Sequence, residues 1–290
     1  MKLRVLVAGL VVVSALAATA VAVARGSGGL PPSPRNGLIV FERCCGPLGI
    51  YTISPTGATS RLLYQSPYDD STLDPAWSPN GRRIAYVSGG KVPALWTMDA
   101  RGKHRRLVTR GHRGVSGPTW STSSTKIAFA DTGVSKRGDI YVVGANGRGL
   151  RSLTHTSVDE ESPVWAPDDS AILYERGDGI WTMKTNGTHQ HRVAANAFAP
   201  SWSPGATHIA FVRGGDPWIA KRNGRGATRV HVSFEAADVT WSPDGRWLLV
   251  SSADRGDLLA VRADGSETQT IDDDPGLFHY GASWQRKPGS

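Results

Sequence analysis

Carboxylates and imidazoles, the side chains best suited to chemistry in this chain, gather in the polar stretches between short apolar segments. Of the 25 acidic residues, 11 fall in these stretches: Asp69, Asp70, Asp74, Asp159, Glu160, Glu161, Glu235, Asp238, Asp272, Asp273 and Asp274. Of the 8 histidines, four fall near them: His112, His155, His231 and His279. Carboxylate oxygens suit Ca²⁺ or a basic ligand, whereas converging imidazoles bind transition metals or act as general bases.

Part of this set forms the best candidate for a ligand-binding surface. The candidate residues are Glu160, Glu161, His231, Glu235, Asp238 and His279. No resident cofactor and no catalytic residue is predicted, because the sequence has no D-x-D-x-D-G loop, P-loop, dinucleotide fingerprint, zincin motif or G-x-S-x-G elbow. A divalent cation held by the acids is one alternative. In another, the acids only keep exposed loops soluble.

The two cysteines, Cys44 and Cys45, are adjacent. Neighbouring Cα atoms lie ~3.8 Å apart, closer than the ~4.4 Å that disulfides usually need, so a bridge between them would be strained and easily reduced. We interpret them as a structural loop pair, with a redox switch or an intermolecular link as the alternative.

Composition indicates the kind of fold that must position these side chains. Hydrophobic residues make up 39% of the 290 residues and charged residues 20%, which excludes wholesale disorder. The 34 Gly, 18 Pro and 10 Trp favour short strands and tight turns over long helices. Two cysteines exclude a disulfide-stapled miniprotein and a cysteine-rich zinc fold.

The N-terminus has the layout of a secretory signal. Lys2 and Arg4 precede the apolar run Val5–Ala24, which ends in Ala22-Val23-Ala24 before Arg25. We therefore predict a signal peptide over residues 1–24, with an uncleaved membrane anchor as the alternative because the run is long. Residues 25–36 are interpreted as a linker. The protein is expected to be periplasmic, extracellular or anchored facing outside.

A repeat organises the rest of the chain. Six tryptophans recur at spacings of 43, 45, 37, 39 and 43 residues: Trp77, Trp120, Trp165, Trp202, Trp241 and Trp284. Seven positions after each of the first five, an apolar triplet begins, as in Ile84-Ala85-Tyr86. Further along each unit a glycine follows an aromatic or leucine residue by six positions: Gly57, Gly102, Gly147, Gly187, Gly224 and Gly265. Four of these glycines follow Asn or Asp, which predicts two-residue hairpin turns.

Each unit therefore contains four short strands, and four strands every ~40 residues are typical of propeller blades. The first unit lacks its leading Trp strand, and Gly281–Trp284 supplies that strand at the end of the chain. The sequence predicts an all-β, six-bladed propeller over residues 37–285, closed by its C-terminal strand, with a tail at 286–290.

The block Trp241-Ser242-Pro243-Asp244-Gly245 and its copy Trp77–Gly81 resemble the repeat of the TolB-type propeller family. The resemblance is to the propeller only, without the α/β domain that precedes it in TolB. Similar repeats serve as binding platforms, as lids of serine peptidases and in some polysaccharide lyases. The resemblance implies an exported, non-catalytic protein- or ligand-binding module of the cell envelope. The alternatives are a metal-dependent, lyase-like enzyme acting on a polysaccharide and an orphaned peptidase lid.

Propeller geometry separates the charges onto two faces. Loops between blades gather around one mouth of the channel and carry the 11 acids named above, while the opposite turns carry many cations: Arg82, Arg83, Arg101, Lys103, Arg105, Arg106, Lys221, Arg222 and Arg225. The formal net charge of +8 thus conceals a dipolar molecule. We expect a monomer with a protein or envelope-polymer partner, no nucleic acid partner, and membrane contact only through an uncleaved N-terminal segment.

Overall fold

The computed structural model describes residues 35–44, 48–57, 59–67, 73–89, 92–111, 114–132, 137–273 and 278–287. These residues form 24 strands in six antiparallel sheets of four strands each. Within them there is no helix long and apolar enough to span a membrane. The predicted leader, residues 1–24, lies outside the described residues.

The strands are numbered along the chain, and each sheet is one blade. Blade 1 contains β1 (Asn36–Cys44), β2 (Gly49–Ile53), β3 (Arg61–Gln65) and the last strand, β24 (Phe278–Arg286). Blade 2 contains β4 (Ala76–Trp77), β5 (Arg83–Ser88), β6 (Ala94–Asp99) and β7 (Arg106–Arg110). Blade 3 contains β8 (Val115–Trp120), β9 (Lys126–Thr132), β10 (Gly138–Gly144) and β11 (Arg151–Ser152). Blade 4 contains β12 (Glu160–Trp165), β13 (Ala171–Arg176), β14 (Gly179–Lys184) and β15 (His191–Ala195). Blade 5 contains β16 (Phe198–Trp202), β17 (His208–Arg213), β18 (Asp216–Lys221) and β19 (Thr228–Arg229). Blade 6 contains β20 (Ala236–Trp241), β21 (Trp247–Ser252), β22 (Leu258–Arg262) and β23 (Thr268–Asp272).

The innermost strand of every blade carries the repeated tryptophan, and these strands form a closed ring. Each contacts the next in the order β24, β4, β8, β12, β16 and β20, and β20 contacts β24 again. In blade 1, β24 pairs antiparallel with β1, with Trp284 opposite Ile39 and Ser283 opposite Val40. The prediction of six blades closed by the C-terminal strand is confirmed. Closure removes the exposed edge that an open sheet would present.

The apolar triplets are continuous rather than alternating because the strand that carries them is buried on both faces. In β1, Ile39 and Phe41 pack against blade 6, while Val40, which points the other way, packs against blade 2. The same alternation recurs at all six blade interfaces, each with its own apolar cluster. Burying one such side chain contributes about 1.5–3 kcal/mol, so the interfaces stabilise the ring.

Hydrogen bonds from the tryptophans join neighbouring inner strands in two alternating ways at five of the six interfaces, and Trp284 Nε1 makes no such bond to the described residues of blade 6. The indole Nε1 of Trp120 donates to the Ala76 carbonyl at 3.1 Å, and Trp202 bonds Val164 in the same way. At the intervening interfaces a backbone N–H donates to a hydroxyl instead, as from Trp77 to Ser283 Oγ at 3.2 Å. Ser or Thr before the tryptophan is therefore explained by the bond to the next blade.

The glycine turns differ from the prediction. Each glycine N–H bonds the carbonyl three residues earlier, as from Gly224 to Lys221 at 2.7 Å, and only the glycine, not the preceding Asn223, has positive φ. At Gly102, Gly147, Gly187 and Gly224 the closing bond, such as that from Lys221 N to the Arg225 carbonyl at 3.0 Å, leaves a three-residue loop in which a type I turn ends in a glycine bulge. At Gly265 the bond from Arg262 N to the Glu267 carbonyl leaves four residues. The predicted two-residue hairpin was wrong at these turns. The asparagine helps through its side chain, since Asn223 Oδ1 accepts a bond from Arg225 N at 3.1 Å.

The same glycines pack closely against the preceding blade. A Cβ on Gly224 would lie 1.9 Å from the Val193 carbonyl oxygen of blade 4, and one on Gly102 would lie 2.4 Å from the Leu63 carbonyl of blade 1. All six turn glycines face the outer strand of the preceding blade, and a Cβ would approach a backbone carbonyl closer than 3 Å at four of them: Gly102, Gly147, Gly187 and Gly224. A side chain at these four positions would force two blades apart.

We expect Gly224→Ala to destabilise the fold far more than Gly226→Ala, two residues away. Both glycines have positive φ, of 80° and 65°, but a Cβ on Gly226 would meet nothing within 4 Å. The control should lose about 1 kcal/mol from backbone strain alone, and Gly224→Ala at least about 3 kcal/mol, as for overpacking added to strain. Urea unfolding followed by tryptophan fluorescence measures both. Equal losses would contradict the packing role.

Candidate functional site

Strand direction defines two faces of the ring. Inner strands run from the loops that join blades to the W-S-P-D-G turns, so the joining loops share one face, named the mouth face, with the loops between second and third strands. The opposite turn face carries the W-S-P-D-G and glycine turns. Asp244 of one such turn accepts bonds from Ser242 Oγ at 2.6 Å and Arg246 N at 3.1 Å, which explains the acid in that motif structurally.

Three residues before each tryptophan, the inner strands bulge toward one another. The residues at this position are Asp74, Gly117, Ser162, Ala199, Asp238 and Gly281, and all except Asp238 have φ between 39° and 56°. Neighbouring bulges touch: Gly117 N donates to Asp74 Oδ2 at 2.9 Å, and a Cβ on Gly117 would lie 3.3 Å from Ser162 Cα. The bulges therefore form a ring of backbone around the propeller axis.

Two glutamates hold this ring from the neighbouring strands. Glu42 and Glu175 occupy the same repeat position, directly after the apolar triplet, in blades 1 and 4. Glu42 Oε2 accepts bonds from Leu73 N at 2.7 Å and Asp74 N at 3.3 Å. Glu175 Oε1 accepts a bond from Ala199 N at 3.0 Å. In both cases the carboxylate fixes the bulge of the following blade.

These acids influence one another electrostatically. Burial, and then the charge of Asp74, raises the pKa of Glu42 to about 7. Burial also raises the pKa of Asp238 to about 6, and the charges of Asp74 and Glu175 add to that shift against a bond from Val239 N. We call Glu42, Asp74, Glu175 and Asp238 the axial acid cluster. Its four members come from four different blades.

The structure buries two of the six predicted binding residues. Glu160 and His279 both lie five positions before a tryptophan, and their exposed fractions are 0% and 1%. Glu160 Oε1 pairs with Arg176 Nε at 2.6 Å. His279 Nδ1 lies 2.5 Å from the Gly256 carbonyl oxygen. Because blades 4 and 1 are opposite in the ring, these side chains do not come together.

His279 belongs to an ion-paired group between blades 6 and 1. Its Nε2 lies 3.3 Å from Asp272 Oδ2, which also pairs with Arg43 at 2.5 Å. Burial alone would raise the pKa of Asp272, but the bond and charge of His279, followed by Arg43, outweigh it and lower the pKa. This group joins blade 6 to blade 1 beside the closure.

Arginines at one repeat position are held by aromatic rings. Arg43 lies over Tyr51 and Arg176 over Trp181, each 4.6 Å from the ring centroid. Arg213 lies 4.9 Å from the Phe211 centroid. Stacking thus fixes each of these cations against an aromatic ring of its own blade.

The other predicted residues lie nearer the surface. His231 and Glu235 are exposed, Glu161 and Asp238 are half-buried, and only Asp238 belongs to the axial acid cluster. Glu42 and Glu175 were not among the predicted site residues. The available signal was an acid directly after the triplet, where four other blades have Val87, Ala130, Val212 and Ser251.

The predicted cysteine pair is described only in part. Cys44 ends β1 on the mouth face, is half-buried and packs against the apolar cluster between blades 1 and 2. Cys45 lies outside the described residues, as do Asp69, Asp70, His112 and Asp274. The redox interpretation stays a prediction. Among the described residues, no three or more His, Cys, Asp or Glu side chains are grouped so that they could hold a metal ion.

A closed ring of six four-stranded blades with acids around its axis defines this protein as a six-bladed β-propeller. The TolB beta propeller domain family matches residues 50–286, and the chain belongs to that family.

Two kinds of curated relative match. The Tol-Pal system protein TolB of Anaeromyxobacter dehalogenans (strain 2CP-1 / ATCC BAA-258) is 36% identical over 98 residues, which are 32% of this chain and 21% of that protein. The uncharacterized peptidase YuxL of Bacillus subtilis (strain 168) is 24% identical over 193 residues, 63% of this chain and 29% of that protein. The chain thus spans less than a third of the length of either relative.

Solved structures share the fold. TolB from Acinetobacter baumannii superimposes with a TM-score of 0.76 at 20% identity, covering 88% of this chain and 68% of that one. A chain of a nidogen/laminin complex gives 0.71 at 13% identity, covering 86% and 98%. An oligogalacturonate lyase in complex with manganese gives 0.55 at 14% identity, covering 79% and 71%.

Glu42→Gln should change how stability depends on pH. The folded protein holds the Glu42 proton up to pH about 7, whereas the unfolded chain releases it at its ordinary pKa, so the wild type loses stability as pH rises through this window. Glutamine keeps an oxygen for the Leu73 and Asp74 N–H groups but cannot ionise. Relative to wild type, the variant should gain on the order of 2 kcal/mol between about pH 4.5 and pH 8.

The measurement is urea unfolding at a series of pH values. Glu235→Gln, which changes an exposed carboxylate of the mouth face, is the control and should run parallel to the wild type. A Glu42→Gln profile parallel to the wild type would show that folding leaves the pKa of Glu42 unchanged.

Proposed function

We propose that the protein is an exported, non-catalytic binding module of the cell envelope, which holds a basic segment of a protein partner at its mouth face. The observation that carries this proposal is the environment of Asp238. It is half-buried at the inner ring, and the two charges that shift its pKa, those of Asp74 and Glu175, are both negative. A cationic side chain placed there would relieve that repulsion.

The inner strands also present contact groups next to the axial acid cluster. Four positions before a tryptophan, Phe198 is 40% exposed, and Tyr280 and Glu161 are half-buried at the equivalent positions. Aromatic rings beside carboxylates suit Lys and Arg side chains, which pair with the acids and stack on the rings. This mixture favours a protein segment over a small inorganic ion.

The comparisons supply further support. Curated relatives include proteins of the Tol-Pal system, and a chain of similar fold belongs to a nidogen/laminin complex. Both favour a protein partner. Export rests on the basic start, the apolar run Val5–Ala24 and the Ala22-Val23-Ala24 end of the predicted leader.

Binding of a hexa-arginine peptide, measured by calorimetry, tests the site. Asp238→Asn should weaken the affinity about tenfold near neutral pH, because it removes a partly buried charge from the cluster. Wild-type affinity should also fall as pH drops below about 6, where Asp238 takes up its proton. Asp264→Asn, which removes an exposed acid of the turn face, is the matched control and should change the affinity less than about twofold. Equal effects of the two variants would place the peptide elsewhere.

Metal analysis separates this proposal from a metal-dependent polysaccharide enzyme. A binding module purified without chelator should contain far less than one equivalent of transition metal per chain by mass spectrometry. About one equivalent, lost on His231→Ala but retained on His155→Ala, would overturn the proposal and direct work to lyase substrates. Both histidines are exposed, so neither variant is expected to disturb the fold.

A further inference from the structure

The turn face carries many exposed cations. In blades 1 to 4 several of them form no ion pair with any residue the structure describes. We call six of these residues the basic arc: Arg61, Arg101, Lys103, Arg106, Arg148 and Lys184. Leu150, 45% exposed, lies in the same turn region as Arg148.

Contacts between blades make the basic arc continuous. The turn with Arg101 and Lys103 packs through Gly102 on the Leu63 carbonyl of β3, two residues from Arg61. The turn with Arg148 packs through Gly147 on the Val108 carbonyl of β7, two residues from Arg106. The turn after Lys184 packs through Gly187 on Leu153 in the same way. The cations therefore follow one another around the rim.

The acids on this face have partners other than the side chains of the basic arc. Asp99 binds His104 Nδ1 at 2.7 Å within its own turn, and Asp168 pairs across the blade interface with Arg222 of blade 5 at 3.0 Å. Asp264 accepts bonds from Ser266 N and Oγ at 2.9 and 2.6 Å. None of these contacts neutralises the basic arc, so its charge is directed to solvent.

The first strand of the propeller begins on this face. Asn36, the first residue of β1, exchanges two 3.1 Å bonds with Asp244 of the blade 6 W-S-P-D-G turn. Eleven residues, 25–35, lie between it and Ala24, the end of the apolar run. Fully extended, they span at most about 40 Å. An apolar segment held in a bilayer would keep the turn face, rather than the mouth face, near the lipid.

We propose that the turn face docks on an anionic lipid bilayer, with headgroup phosphates bound by the basic arc. Juxtamembrane Lys and Arg side chains are attracted to such surfaces, whereas the acids of the mouth face are repelled and point away. The proposal rests on the export put forward above but not on the ligand of the mouth face. In this orientation the axial acid cluster stays open to a partner.

Vesicle co-sedimentation of residues 25–290 tests this docking. Removing the leader takes away none of the 24 strands and neither side of the β1–β24 closure. The protein should sediment with phosphatidylcholine vesicles that contain phosphatidylglycerol, not with phosphatidylcholine alone, and salt should release it.

Two charge-matched double variants locate the surface. Arg101→Glu with Arg148→Glu should weaken vesicle binding at least about tenfold, since each charge near the surface contributes appreciably. Arg110→Glu with Arg137→Glu changes two exposed cations of the mouth face and should cost less than about twofold. Both double variants should keep the wild-type thermal midpoint of unfolding. The Arg101→Glu, Arg148→Glu variant should also bind hexa-arginine like the wild type. Failure of the docking proposal can therefore be distinguished from failure of the proposed binding at the mouth face.

Three results would overturn the proposal. They are no sedimentation with the anionic vesicles, equal losses in the two double variants, or tighter binding to soluble dextran sulfate than to vesicles of equal anionic charge. The last result would assign the basic arc to an anionic polymer.

Discussion

The pairing of β24 with β1 is the constraint on which the rest of the molecule depends. Every blade buries apolar side chains on both faces, so each needs a neighbour on either side, and only a closed ring supplies one to blades 1 and 6. The closure joins residues about 240 positions apart in the chain, such as Ile39 and Trp284. The backbone N–H of Lys287 also bonds the Arg35 carbonyl at 3.1 Å. Both ends of the described chain thus meet on the turn face. The closure therefore determines which face of the propeller lies next to the ends of the chain.

The features that repeat in this sequence are structural, whereas the titratable side chains between blades occur where the repeat is interrupted. Tryptophans, apolar triplets and turn glycines recur because each blade meets its neighbours in the same geometry. Glu42 and Glu175 interrupt a position occupied elsewhere by Val, Ala or Ser, and Glu160 and His279 interrupt one where three blades have Val115, Ala197 and Ala236. All four exceptions fall in blades 1 and 4, which are opposite in the ring. Blade 4 satisfies its buried acid with Arg176, while blade 1 draws Asp272 from blade 6.

The fold could be predicted from the sequence because its signals are local and repeated six times, so that one weak copy, such as the missing Trp strand of blade 1, is identified by the others. The candidate site could be predicted only in part. Acids between apolar segments indicate a loop, but whether such a residue faces solvent, the axis or a neighbouring blade depends on bulges that the spacing does not reveal. Asp238 and Glu235 lie three residues apart, yet one is half-buried in the inner ring and the other is exposed. The prediction of the turn type was wrong for a related reason. An Asn-Gly pair fits both a two-residue turn and a turn with a glycine bulge, and only packing against the preceding blade selects the second.

The separation of charge between the faces has a structural origin. Loops at the mouth face converge on a narrow axis, where bulged backbone N–H groups need acceptors, and carboxylates such as Glu42 and Glu175 supply them. The glycine turns of the opposite face lie toward the rim, where their carbonyls and Asn side chains already satisfy the backbone and long cations can extend into water. Acids near the axis and bases at the rim therefore agree with the local hydrogen-bonding needs of a propeller. Asp238 is an exception to this explanation. Among the described residues it bonds only its neighbour Val239, and the negative charges of Asp74 and Glu175 act on it. The need for backbone hydrogen-bond acceptors therefore does not account for an acid at this position. A group that costs stability at the centre of the ring, and that a basic ligand would relieve, is what a binding site requires.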